Sequence, residues 1–445
     1  MIPLINNFPL AYRQVIELAW PFILANAAVP VLGLVDTAVI GNLGSAQDLG
    51  AVAFGALIFS FVYWGFGFLR MGTTGFVAQA AGDSDHLEAR AVLGRALLLA
   101  VALGCLIMAL QLPIQWLAFT ILTGSDDVEQ IAQLYFSIRI WGAPATLMGF
   151  VGAGFLIGMG YSKIFLSLQA FLNGLNIVLD VLLAGVLGLG AAGIALGTVI
   201  SEWSTVILGA VVMFRIMRNT SLPGETFWPL EKILDYNKLV ELLRANLDIM
   251  IRTLLLVFSF AFFTNQAAKF GDIALAANHI LLQIIAFSAF FLDGFAFAAE
   301  GLVGRAVGAR DSLLFMAAVK RTSLLAAMSA VILACLVLIF GPDLIAVLTD
   351  LAAVREAASS LTYVAAIYIL MSVAAFQLDG IFIGASCTRQ MRRGAIQSVV
   401  LFLLACWLLA PRYGILGLWW AMIAFVILRA VVLFRFFPQM LARLQ

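Results

Sequence analysis

Three polar side chains recur at helical spacing inside an otherwise apolar stretch: Asn173, Asn176 and Asp180. Steps of three, four and seven residues place them on one face of an α-helix. A second carboxyl, Asp36, lies late in another apolar stretch, after Pro21 and Pro30. Each proline removes a backbone hydrogen bond and permits a kink. A carboxylate in hydrocarbon costs several kcal/mol unless it is paired, protonated or wetted, so each one is a functional candidate by default. The chemistry that suits such groups is proton transfer, because gaining or losing one proton switches a charge and the packing it favours. Two plainer readings stand beside this one: Asp36 as a wetted helix end, and the asparagines as interhelical hydrogen-bond glue. Glu202, four residues after Thr198, is a further acid in an apolar run and is expected to face a water-filled cavity.

The elements that must hold these residues follow from composition. Of 445 residues, 64% are hydrophobic and 11% charged, with a mean hydropathy of +1.08. A soluble domain is about 45–50% apolar and about 25% charged, so a water-soluble fold is excluded. Runs without Asp, Glu, Lys or Arg recur throughout, for example Leu49–Leu69, Ala96–Ser125 and Ile140–Ser162. A helix needs about 20 apolar residues to cross a bilayer, whereas outer-membrane strands alternate over about ten. The expected fold is therefore an all-α polytopic membrane protein with twelve transmembrane helices, the first one uncleaved. A membrane-embedded enzyme would need a catalytic or metal constellation within the spans, but His86 and His279 lie far apart and the four cysteines are scattered. No cofactor or metal is expected, no basic patch suggests nucleic acid, and the bilayer itself is the expected surrounding.

Between the sixth and seventh runs lies the longest polar stretch, which contains Pro223, Gly224 and Pro229. It predicts an N-terminal lobe over residues 1–214, a linker over 215–238 and a C-terminal lobe over 239–445, with six helices in each lobe. The halves repeat in sequence. Gly75–Gly82 lies over Gly301–Gly308 and Gly154–Gly158 over Gly380–Gly384 at one offset, and Gly190–Gly193 lies over Gly414–Gly417 with a two-residue adjustment. Six helices per repeat make both halves run the same way, as in parallel-repeat transporters. With the N-terminus in the cytoplasm, eighteen basic residues fall on that side and only Lys269, Arg355 and Arg412 on the other. The positive-inside rule then places both termini in the cytoplasm.

The repeat does not extend to the acids. Asp36, Asn176 and Asp180 correspond to Phe262, Phe402 and Cys406. The C-terminal half has its own charges, Asp248, Arg252, Asp293 and Asp379. The i,i+4 spacing of Asp248 and Arg252 predicts a structural ion pair. Asp293 and Asp379 are expected to bind Arg70, Arg139 or Arg252 across helices, or to form a second ion site.

Several segments resemble the multidrug and toxic compound extrusion (MATE) family. They are Val35–Gly44 in the first helix, Asn176–Asp180 in the fifth and Gly190–Thr198 in the sixth. Arg70–Gly75, Asp293–Ala296 and Asp379–Ala385 resemble its DinF branch. The resemblance implies a V-shaped pair of six-helix lobes and an antiporter that expels organic compounds against an inward cation gradient. It assigns Asp36, Asn176 and Asp180 to a proton network in the N-terminal lobe, with Tyr135, Asn173 and Thr198 lining that cavity. Phe262 stands where sodium-coupled relatives are expected to carry an acid, which favours H+ over Na+ as the coupling ion. The expectation is a monomeric, proton-coupled exporter of organic or cationic compounds in the cytoplasmic membrane, working by alternating access. Sodium-coupled efflux and a lipid-linked oligosaccharide flippase are the alternatives.

Overall fold

A computed structural model describes residues 10–43, 45–122, 124–219 and 226–442. Among these residues helices account for almost the whole chain and there is no strand. The long helices are α1 (Tyr12–Leu43), α2 (Ala46–Gly82), α3 (His86–Ala109), α4 (Asp126–Gly158), α5 (Ser162–Val186) and α6 (Gly190–Asn219). They continue with α7 (Tyr236–Ala268), α8 (Asp272–Gly308), α9 (Ser312–Leu348) and α10 (Thr362–Gly384). The stretch Thr388–Phe434 contains one non-helical residue, Gly414 at φ 62°, which divides it into α11 (388–413) and α12 (415–434). The helix count of twelve agrees with the hydropathy reading. Large apolar side chains such as Trp116, Val347 and Trp407 point outward, as in a bundle whose outer surface meets acyl chains.

Helix α4 ends at Gly158 and α5 starts at Ser162. The chain turns between them at Gly160, φ 72°. Helix α2 is interrupted at 65–67, where an apolar sequence conceals the break.

By packing, the chain forms two units: one of Ala27–Leu243, the other of residues up to Asn26 together with Arg244 onward. The expected boundaries at 214 and 239 are therefore displaced, because the end of the linker packs within the first unit. Ile233 fills the space over Gly94, where a Cβ would lie 2.7 Å from its Cδ1. Lys232 pairs with Asp85 at 3.4 Å, and the buried Arg90 donates to the carbonyls of Thr226 and Phe227. Pro223 and Gly224 lie outside the described residues, as do Gly44 and Arg443.

The internal repeat holds element by element. Helices α2 and α8 start at Ala46 and Asp272 and end at Gly82 and Gly308, while α5 and α11 start at Ser162 and Thr388. Asp85 caps α3 by accepting from the Glu88 amide, and Asp311 caps α9 by accepting from the Leu314 amide. A Cβ at Gly154 would strike the Arg70 carbonyl, and one at Gly380 would strike the equivalent Ala296 carbonyl. Gly190 and Gly414, at φ 52° and 62°, both take the left-handed backbone that glycine tolerates without cost.

Candidate functional site

In the first unit α1, α5 and α6 bring Asp36, Asn176, Asp180 and Thr198 together. The Asp36 and Asp180 carboxyls lie close enough to share a hydrogen bond. The Asn176 amide is aimed at both sides of the cluster, at 3.4 Å from Asp180 Oδ1 and 3.4 Å from Thr198 Oγ1. Asp180 is fully buried and Asn176 nearly so. Asp36 Oδ1, Asp180 Oδ2 and Asn176 Oδ1 are buried, and no protein donor reaches them. Two carboxyls can bond to each other only if one carries a proton, and they then titrate as a pair. The arrangement can hold one exchangeable proton between two helices.

Backbone geometry makes this closeness possible. A side chain at Gly197 on α6 would collide with Asp180 Oδ1, and one at Gly193 would run into the backbone at Ala184. Residues Val181–Val186, directly after Asp180, form a π turn, a local widening often found where helices carry function.

The other expected cavity residues sit around the pair. Tyr135 is buried on α4 within electrostatic reach of Asp36, Asp180, Arg139 and Glu202. Asn173 is placed one turn before Asn176 and accepts from Gln169 Nε2 at 3.4 Å. Glu202, expected to face a water-filled cavity, is paired with a buried cation. It accepts two bonds from Arg139, Nη1 at 2.8 Å and Nη2 at 2.6 Å. The guanidinium also lies over the rings of Phe59 and Tyr63, 5.3 and 5.5 Å from their centroids. Arg139 was not assigned to this cluster from sequence. Its position four residues after Tyr135 is the signal that would have placed it there.

In the second unit the expected Asp248–Arg252 pair does not form. Asp248 instead accepts from Arg392 at 2.6 Å and from Thr388 at 3.2 Å. Arg252 turns to Asp379, which Arg429 also approaches at 2.5 Å on the same oxygen. Asp293 lies within electrostatic reach of Arg252. Of the partners expected for Asp379, Arg252 is the one used, and Arg429 was missed. The charges thus form two local clusters, one around Asp248 and one around Asp379.

The two units share a scaffold but not its contents. Asp36, Tyr135, Arg139, Asn173, Asn176 and Asp180 correspond to Phe262, Leu361, Ala365, Val399, Phe402 and Cys406, and Thr198 and Glu202 to Met422 and Val426. All eight counterparts lie in or against one apolar core. One scaffold thus carries a polar cluster in one unit and hydrocarbon in the other.

The MatE family model matches residues 21–182 and 249–408, one segment in each half of the repeat. DNA damage-inducible protein F of Escherichia coli (strain K12) is 38% identical over 424 residues, covering 94% of this chain and 90% of that protein. Protein DETOXIFICATION 44, chloroplastic, of Arabidopsis thaliana is 29% identical over 441 residues, covering 94% and 80%. A crystal structure of MATE in the straight conformation has a TM-score of 0.85 at 20% identity, covering 97% of this chain and 96% of that one. The same figures hold for an outward-facing multidrug resistance MATE family transporter of the MOP superfamily. With both halves matched and a relative of this identity along nearly its whole length, the chain belongs to the MatE family of membrane transporters, and it is not an enzyme.

Proposed function

We propose that this transporter is a proton-coupled antiporter that exports organic, cationic compounds by alternating access. The observation that carries the reading is the Asp36–Asp180 pair, in which the atoms Asp36 Oδ1 and Asp180 Oδ2 are buried without a protein donor. A carboxylate that holds a cationic compound cannot hold it once protonated, so proton and cargo exclude each other, and that exclusion is the coupling free energy. Three relatives named probable multidrug resistance protein NorM, at 25–26% identity, support an organic cargo. Tyr135, Asn173 and Thr198 would line the path to the pair, in a monomer of the cytoplasmic membrane with both termini inside.

Sodium coupling is the second reading, because the same donorless oxygens beside Thr198 also suit a monovalent cation. Proteoliposomes loaded with ethidium and given either a pH or a sodium gradient separate the two. The parent should export ethidium under the pH gradient alone, and Asp36→Asn should not. Export driven by sodium alone, with Asp36→Asn equal to the parent, would remove the proton reading.

A further inference from the structure

The repeated scaffold does not require the Arg139–Glu202 pair. At the equivalent places the second unit has Ala365 and Val426, both completely buried in its apolar core, so the scaffold closes without an ion pair. Replacing a buried ion pair by hydrocarbon is often neutral or stabilising. Yet the first unit accommodates the pair closely: a Cβ at Gly142 would lie 2.5 Å from both Arg139 Nη1 and Glu202 Oε2. What sets this unit apart from the other is the carboxyl pair. Arg139 lies within electrostatic reach of Asp36 and of Tyr135. The titratable and charged groups facing this region are Asp36 from α1, Tyr63 from α2, Tyr135 and Arg139 from α4, Asp180 from α5 and Glu202 from α6. Among them Arg139 is the sole cation.

We infer that Arg139 is a positioning residue for the carboxyl pair, held by Glu202 as a fixed internal counter-charge that sets the pH at which the pair gives up its proton. Glu202 has two effects. Its bidentate grip keeps the guanidinium from bridging to Asp36, and its charge offsets most of the field that the guanidinium would impose. This inference rests on the proton-coupled reading and adds to it the residues that tune the exchange.

The signs follow from Coulomb's law. Arg139→Gln removes a positive charge, disfavours the ionised pair and moves proton release to higher pH. Glu202→Gln leaves the guanidinium uncompensated, favours the ionised pair and moves release to lower pH. The double variant removes both charges and should return close to the parent, while Arg139→Lys keeps the charge and should resemble it.

The readout is labelling of purified full-length protein by dicyclohexylcarbodiimide, which modifies protonated carboxyls in apolar sites, located by peptide mass spectrometry and followed against pH. The single variants should shift half-labelling of Asp36 and Asp180 in opposite directions by about one pH unit. Should one single variant fail to fold, the direction of the other's shift carries the test, and a displaced midpoint in the folded double variant or in Arg139→Lys overturns it. Single shifts in the same direction, or folded single variants with an unmoved midpoint, overturn the inference while leaving the proton site intact. Labelling of the parent that does not vary with pH removes the proton reading itself.

Discussion

At the scale of single residues, neighbours decide what each charge can do. Asp379 accepts from two buried guanidiniums at once, so Asp379→Ala should leave both without their carboxylate. Breaking a buried pair from one side costs roughly 3–5 kcal/mol, which a lowered melting temperature in detergent will show. Gly197→Ala should be folded but impaired, because the new methyl group displaces Asp180 from Asp36; ethidium exchange should fall at least about tenfold, the effect of roughly 1.4 kcal/mol at the site. The polar face of α5 was legible because helical spacing alone aligns Asn173, Asn176 and Asp180. The partners of the ions were not legible. Arg139 and Glu202 are separated by 63 residues and Asp379 and Arg429 by 50, and nothing local in the sequence favours those pairings over Asp248 with Arg252.

At the scale of elements, the two repeats rest on the same close approach of backbone. Helix α4 meets α2 at Gly154, and α10 meets α8 at Gly380. A side chain at either glycine faces a carbonyl oxygen, not the end of a flexible chain, so the helices must move apart. Gly154→Val and Gly380→Val should therefore lower stability to a similar degree, by about 1–3 kcal/mol as overpacking does. Comparing their melting midpoints in detergent checks both the magnitude and the equivalence. Helix number and the repeat were legible because hydropathy and glycine spacing survive in sequence. The break at 65–67 was not, since apolar residues run across it, whereas Pro411 and Arg412 mark the end of α11. The unit boundary at 26/27 was equally hidden, because it falls inside α1, where composition does not change.

At the scale of the whole molecule, an even number of helices predicts both ends on one side of the bilayer, and the distribution of Arg and Lys predicts that this side is the cytoplasm. Reporter domains fused to each terminus should report the same, cytoplasmic compartment; opposite compartments would contradict the twelve-helix count. The larger consequence is asymmetry. A duplicated scaffold has one half in which eight positions form a polar cluster and another in which the same eight are hydrocarbon. That division is why we place the proposed proton site in the first unit alone. The central claim is that cargo and proton compete for the Asp36–Asp180 pair, and its most direct test needs no gradient. Adding ethidium to the purified transporter in weakly buffered detergent, with a pH indicator present, should release protons as the dye binds. Release should disappear in Asp36→Asn and in Asp180→Asn. Ethidium bound by the parent with no proton set free would contradict the account.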